Sequence, residues 1–515
     1  MGSMAEDAVT LIVRVVGKKT KWRAGPRSPV LPPHVGATFS EAQRTGGWAR
    51  GRWRSGAGPA GNTKSGGAAG CITDFIGLPR PRWAVRRAGM KMWRLILLLT
   101  LCTGPIHAGE APLFRDFVGL CGHTVNFKPD LYQPVCGWVR DYHPAGWDLA
   151  EDTSVLPEWP FAKNRVSWAK VYGAWRNEGL KISVCLNIDE LGKQWKDPVK
   201  DAEAYGRSFA QHFGPGGKWP MVEVVEIGNE PGLYEDAAWQ QVFSAMARGI
   251  RAGDPELKIA SCNVEAGKSD RYWKAADLFK DMGALYDVLR IHRYAIQDQW
   301  PTWRRTYPEN PAVPYLSSVR DLLKWRDRHA PGKAVWVSEF GWDASSQAPP
   351  AEGPDAKFMD STDEEQAMWL VRSFFLFAGM GVEKAFVFFF NDEDKYSFHA
   401  ASGLTRNYEP KPAYHAVAWM LQHLRDYRFS RIVQASLTEG YVYEFVPEKA
   451  GEPVILAVWR ATGEGSVTLP EGGGSGMKGE RMPLTAGGGK PLKLEPAAGA
   501  VLAGEHPLLI WSGGK

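Results

Sequence analysis

From residue 109 to about residue 425, short apolar runs rich in β-branched residues alternate with stretches whose apolar positions recur at helical spacing. Strands are predicted at 117–120, 135–139, 180–186, 222–227, 257–262, 286–291, 334–338 and 384–390. Helices are predicted at 166–176, 201–213, 236–252, 315–329, 362–379 and 414–424. Gly179, Gly214-Pro215-Gly216-Gly217, Gly253-Asp254-Pro255 and Pro331-Gly332 end four of these segments, because glycine accepts the left-handed turn after a helix and proline cannot continue one. Thr362-Asp363-Glu364-Glu365 has the form of a capping box and opens the fifth helix. The stretch 384–390 is apolar at almost every position, as a strand covered on both faces requires. Eight strands alternating with helices over roughly 300 residues predict an α/β fold, a (β/α)8 TIM barrel spanning 109–425. Beyond it the helical spacing stops. Runs at 441–445, 454–459, 466–469 and 508–511 are separated by Gly-rich turns, which predicts a small antiparallel, sandwich-like β domain over 426–515.

The front of the chain reads differently. Residues 1–89 are rich in Arg, Gly, Pro and Ser and lack apolar periodicity, so they are expected to be a disordered or non-native extension. The stretch 90–108 has a cationic start (Lys91, Arg94), an apolar run at 95–101 and a small residue, Ala108, at its end. That is the pattern of a secretory signal peptide. Its apolar run is too short to span a bilayer, which takes about 20 residues. A leader at this position implies that translation starts at Met90 or Met92, that 1–89 is upstream sequence, and that the protein is secreted or periplasmic. The formal charge of +5 across 515 residues, with no basic stripe on any one element, argues against a nucleic-acid partner. Four cysteines fall in 109–515: Cys121, Cys136, Cys185 and Cys262; of these, Cys185 and Cys262 lie inside predicted strands and are expected to be buried thiols. There is no CxxC and no zinc-type spacing, so neither a metal nor a cofactor is expected.

Two glutamates leave strands at places where a barrel keeps its chemistry. Glu230 follows the fourth strand in Gly228-Asn229-Glu230-Pro231, and Pro231 holds it extended. Glu339 ends the seventh. Strands four and seven lie across a barrel from each other, so both carboxylates are expected over one pocket at the C-terminal face of the sheet. Glycosidic cleavage needs such a pair, one carboxyl to protonate the leaving oxygen and one to attack or stabilise the anomeric carbon. Like charges at close range split the two pKa values and so divide those roles.

At these residues the chain resembles a known group. Gly228-Asn229-Glu230-Pro231 and Val337-Ser338-Glu339-Phe340-Gly341-Trp342 resemble the acid/base and nucleophile motifs of clan A retaining glycoside hydrolases. The Glu-Phe-Gly context is similar to family five, the cellulase and mannanase group. The Gly-Asn-Glu-Pro context and the β tail are similar to family thirty-nine, the xylosidase and iduronidase group. The resemblance covers about 112–425. It implies Glu230 as acid/base, Glu339 as nucleophile and Asn229 on the sugar 2-hydroxyl. It also implies Arg140 at the end of strand two beside Glu339, with Asp141 next to it either in the site or paired with Arg140. His292 or Tyr294, at the end of strand six, would orient Glu339. Where related enzymes carry a sugar-flooring Trp after strand eight, this chain has Phe389-Phe390-Asn391-Asp392, so Trp342 is expected to take that place. Trp138, Trp195, Trp300 and Trp303 also fall near or after predicted strand ends, where an indole face can stack on a sugar. The expected activity is a secreted retaining hydrolase of β-glycosidic bonds in a polysaccharide or oligosaccharide. It is expected to be endo-acting, because the loop 297–314 carries Trp300 and Trp303. The alternatives are an exo-acting β-glycosidase of the xylosidase type, an inactive carbohydrate-binding barrel, or a metal-dependent hydrolase. For the last, His123, His292, Asp141 and Asp392 lack a recognised ligand spacing. The run Asp392-Glu393-Asp394 is expected to be a solvated loop.

Overall fold

The computed structural model describes residues 110–124, 127–149, 151–192, 194–470, 476–492 and 499–512. The predicted extension 1–89 and leader 90–108 lie outside the described residues. Eight parallel strands close on themselves: β1 Val118–Gly122, β2 Trp138–Pro144, β3 Lys181–Asn187, β4 Val224–Ile227, β5 Lys258–Glu265, β6 Val288–His292, β7 Ala334–Phe340 and β8 Lys384–Val387. Each pairs in parallel with its sequence neighbours, and β1 pairs with β8 to shut the ring. Around it pack α1 Trp168–Asn177, α2 Pro198–Phe213, α3 Asp236–Gly253, α4 Tyr315–His329, α5 Asp363–Gly379 and α6 Pro412–Leu424. The links β1–β2 and β5–β6 hold single 3-10 turns, Pro129–Leu131 and Ala276–Phe279, in the place of a full helix.

Local chemistry explains the helix ends. Asp197 caps α2 by accepting from the Lys200 amide at 3.1 Å, and Pro198 takes the first helical position, where its missing N–H costs nothing. The capping box at Thr362 is present in both directions. Inside the barrel, alternate residues of each strand stack in layers. Trp138, Trp336 and Phe386 fill the lower end with Val224, Ala260 and Val288. Gly119 is required there, because a Cβ on it would lie 2.3 Å from the Phe386 ring. The strand boundaries differ from prediction mainly at β2. The strand starts at Trp138, inside the predicted run 135–139, and continues through Arg140, Asp141 and Tyr142 to Pro144. Polar residues on the inner face of a strand interrupt the apolar pattern, and here they line the pocket.

Beyond α6 the chain forms an antiparallel sheet. Its strands are β9 Tyr427–Ser436, β10 Gly440–Pro447, β11 Ile455–Trp459, β13 Met477–Arg481, β14 Lys490–Pro491 and β16 Leu508–Ser512, in the order β9-β10-β11-β16-β13-β14. A two-stranded ladder, β12 Gly465–Thr468 with β15 Ala500–Ala503, covers one face and packs its Val467 and Val501 over Val442, Val458 and Ile510. The other face docks on α5. Phe445 and Trp459 meet Phe375, and Trp459 Nε1 donates to Glu309 at 2.7 Å. Arg372 of α5 pairs with Glu309 and donates to the Ala461 carbonyl at 2.9 Å. Barrel and β domain therefore share one continuous core.

Candidate active site

The C-terminal ends of β4, β6 and β7 bring Glu230, His292 and Glu339 together, with one donor atom of each within 4.8 Å of the others. Two backbone features make this possible. Gly228 adopts φ 72°, a left-handed turn at which a side chain would be strained, and it swings the chain so that Asn229 and Glu230 face the barrel mouth. On β7, strict alternation from the inward Trp336 would turn Ser338 inward and Glu339 outward. A register shift against β8 between Val337 and Phe340 reverses that and re-aims Glu339 into the pocket. Similar shifts occur on β5 before Asn263 and between Ile291 and His292.

Three donors converge on Glu339, whose side chain is 7% exposed. Arg140 Nη1 reaches Oε1 at 2.9 Å, Tyr142 O–H reaches the same oxygen at 2.5 Å, and Tyr294 O–H reaches Oε2 at 2.8 Å. Arg140 also donates to Asn229 Oδ1 at 2.7 Å, which orients the amide beside Glu230. Beneath them lies a polar layer with no exposure at all. Glu226 accepts from Arg140 Nε at 2.7 Å and Nη2 at 3.0 Å and also pairs with Arg290, which donates to Ser183. Asn263 Oδ1 accepts the His292 amide at 2.9 Å.

The two carboxylates differ electrostatically. Glu230 is held well above the ordinary glutamate range, first by burial, then by the charges of Glu339 and Asp189. Its Oε1 lies 2.9 Å from His292 Nδ1, while His292 Nδ1 is 3.6 Å from Glu339 Oε2. Burial, and then the nearby Arg140 charge, push His292 well below the usual histidine range, so this imidazole is neutral. These three side chains are also close enough to share a metal ion. The Glu339 oxygens, however, are already engaged by Arg140, Tyr142 and Tyr294, which suits a proton on Glu230 better than a cation between the pair.

An aromatic series leads away from the site. Tyr294 meets His399 at 4.2 Å between ring centroids, His399 meets Phe398 at 4.0 Å, Phe398 meets Trp303 at 4.0 Å, and Trp303 meets Trp300 at 5.4 Å. Trp300 is 55% exposed at the rim.

Of the residues singled out in the sequence, Glu230, Glu339, Arg140, Asn229, His292 and Tyr294 meet in this pocket. His292 sits nearer Glu230 than Glu339, and Tyr294 is the one that bonds Glu339. Asp141 and Trp342 do not join them. Asp141 is one residue out of phase with Arg140 and Tyr142, so it points out of the barrel. There it is fully buried, accepts from Thr124 at 3.1 Å, and burial pushes its carboxyl up to about 7. Trp342 is buried completely against Tyr315 and Trp369, donates to the Thr306 carbonyl at 2.8 Å, and offers no face to a ligand. Trp138 lies in the lower barrel layer, and Trp195 is buried on Tyr234. The run from Asp392 to Asp394 is not simply solvated: Asp392 pairs with buried Lys411, and Asp394 pairs with Arg406. All four cysteines in the described residues are buried free thiols. Sequence reasoning passed over Tyr142, Glu226, Arg290 and Asp189. The period of two along β2 and β4 was the signal available for the first two, since Tyr142 shares the face of Arg140 and Glu226 that of Val224.

No family model and no curated protein matches the chain. Solved structures do share the fold. A family 39 glycoside hydrolase from the gut symbiont Bacteroides cellulosilyticus WH2 superposes with TM-score 0.57 at 17% identity, covering 78% of this chain and 81% of that one. A glucosidase from Croceicoccus marinus gives 0.55 at 15% identity over 78% and 97% of the two chains. An alpha-L-arabinofuranosidase from Thermotoga maritima, solved with arabinose, gives 0.51 at 12% identity over 78% and 98%. At these identities the likeness is one of fold. Among the described residues, no helix is long and apolar enough to cross a membrane.

Proposed function

We propose that this chain is a retaining glycoside hydrolase that cleaves β-glycosidic bonds in an oligosaccharide or polysaccharide by double displacement. The carrying observation is the pair Glu230 and Glu339: carboxylates from opposite strands, close together, with unlike surroundings. Retaining enzymes hold their carboxyl groups about 5–5.5 Å apart, whereas inverting ones leave about 6.5–9.5 Å for a water. One oxygen of each lies within 4.8 Å of one oxygen of the other, which accords with the closer arrangement. Glu339, oriented by Arg140, Tyr142 and Tyr294, attacks the anomeric carbon. Glu230, protonated at rest, gives its proton to the departing oxygen. Glu230 then takes a proton from water, and the water displaces Glu339 from the sugar. Asn229, fixed by Arg140, is placed to bond the 2-hydroxyl. The structural neighbours reported above are named as a glycoside hydrolase, a glucosidase and an alpha-L-arabinofuranosidase, which supports glycoside hydrolysis and leaves the β linkage to rest on the sequence motifs.

The aromatic series from Tyr294 to Trp300 favours endo action on a chain, because it offers stacking faces beyond a single sugar. The reading includes export through the leader at 90–108. A product profile tests the activity and its mode together. Purified protein should cut a soluble β-glycan into oligosaccharides of mixed length and release phenol from aryl β-glycosides. Release of monosaccharide alone would overturn endo action, and no turnover of any β-glycan or aryl β-glycoside would overturn the activity.

A further inference from the structure

The turn that carries Glu230 is closed by an anion of the protein's own. After the left-handed Gly228, the amides of Asn229 and Glu230 point the same way. Successive N–H groups in such a turn form a concavity that suits an anion. Asp189 fills it. Its Oδ1 accepts from the Asn229 amide at 3.0 Å and its Oδ2 from the Glu230 amide at 2.7 Å. Asp189 opens the one-turn helix Asp189–Leu191 that follows β3, and that segment is itself pinned. The Asp189 amide donates to Asn187 Oδ1 at 3.2 Å. Tyr234 O–H donates to the Ile188 carbonyl at 3.0 Å and accepts from Trp195 Nε1 at 2.7 Å. The step chemistry described above makes no use of this carboxylate.

Resting on the glycosidase reading, we propose that Asp189 is a positioning residue: through the backbone it fixes where Glu230 and Asn229 stand, and through its charge it keeps the proton on Glu230. Five titratable or charged groups face Glu230. They are Glu339 from β7, His292 from β6, Arg140 from β2, Glu226 from β4 itself, and Asp189 from the end of β3. His292 is neutral, and the Arg140 charge opposes the three carboxylates. Arg140 and Arg290 flank Glu226, and Arg140 also contacts Glu339. Asp189 is met by backbone amides, so its charge acts on Glu230 without a neutralising hydrogen-bond partner. Burial pushes the Asp189 carboxyl up to about 6, so it is mostly ionised at neutral pH.

The test compares wild type with Asp189→Asn, which keeps the shape but removes the charge and one of the two acceptors. The basic limb of kcat/KM is expected to move to lower pH by on the order of one unit, the size of effect one nearby charge exerts. The loss in kcat should be larger for aryl β-glycosides with poor leaving groups than for dinitrophenyl glycosides, because only the former need the proton. A merely structural role would reduce all substrates equally and leave the limb in place; that result overturns the proposal. A carbon NMR titration of Glu230 in both proteins separates this from the activity itself. The Glu230 carboxyl should titrate lower in the variant whether or not a substrate is known, and an unchanged value overturns the proposal. If the variant does not fold, wild type still decides: the Glu230 signal should show a second inflection at whatever pH the Asp189 carboxyl itself titrates, and its absence overturns the proposal.

Discussion

Changing Glu226 to Gln probes the ionic layer on which the site rests. Arg140, Arg290 and Glu226 have no exposure, and Glu339 has 7%. In the wild type, two guanidinium charges face two carboxylates in a buried layer. Glu226→Gln leaves a surplus positive charge there. It also offers a single carbonyl oxygen where Glu226 accepts three N–H bonds, two from Arg140 and one from Arg290. Removing one partner of a buried ion pair costs about 3–5 kcal/mol. Domains have about 5–15 kcal/mol in total. The variant is expected to fold with a lower urea midpoint; slopes are about 1–3 kcal/mol per M for small proteins and steeper for larger ones, so the shift is on the order of 1 M. Catalysis should fall as well, because Arg140 loses the partner that aims it at Glu339 and Asn229. Lys324→Ala serves as control: its pair with Asp321 is 67% and 58% exposed, and its midpoint should not move measurably. A Glu226→Gln stability within about 1 kcal/mol of wild type would refute the balanced-layer argument.

The two glutamates should fail in different ways. Glu339→Ala should lose activity on all β-glycosides and, with added azide, yield a glycosyl azide of inverted configuration. Glu230→Ala should lose about 10²–10⁴-fold on poor leaving groups yet show a burst on activated aryl glycosides, with azide giving a retained product. The pH profile should reflect Glu230 on its basic side. The proton donor is active when protonated and its pKa is raised, so activity should persist above the ordinary glutamate range and fall as pH passes through the raised value. A fall beginning near pH 4.3, where an ordinary glutamate titrates, would contradict the burial argument. Ending the chain after Arg425 should give an aggregating barrel, because it uncovers Phe114 and Phe375 and strips Trp459 from Glu309; a soluble, fully active truncation would count against the shared core.

The barrel was readable in the sequence because its strands are apolar on the outer face and its helices are capped by ordinary signals such as Thr362 and Asp197. The residues brought to the pocket from β4, β6 and β7 were readable because they sit at strand ends in short motifs. What escaped lies where those signals fail. Tyr142 and Glu226 are polar residues inside strands, and they look like interruptions of an apolar run until the inner face is known. Trp342 follows the nucleophile motif in sequence, but the register shift that turns Glu339 inward leaves the indole in the core under Tyr315. Asp141 was misplaced by the period of two: next to Arg140 in sequence means the opposite face of the strand. Asp189 could not be found by motif, because its partners are backbone amides that become neighbours only when β3 and β4 pair.

The claim that Glu339 attacks and Glu230 protonates is met most directly by the configuration of the first product. Proton NMR during hydrolysis of a β-glycoside by the wild-type protein reads the anomeric signal before mutarotation. Double displacement through Glu339 predicts that the β-anomer appears first and the α-anomer grows in later at the spontaneous rate. The α-anomer appearing first would mean a single displacement by water, and the roles assigned to both glutamates would be wrong.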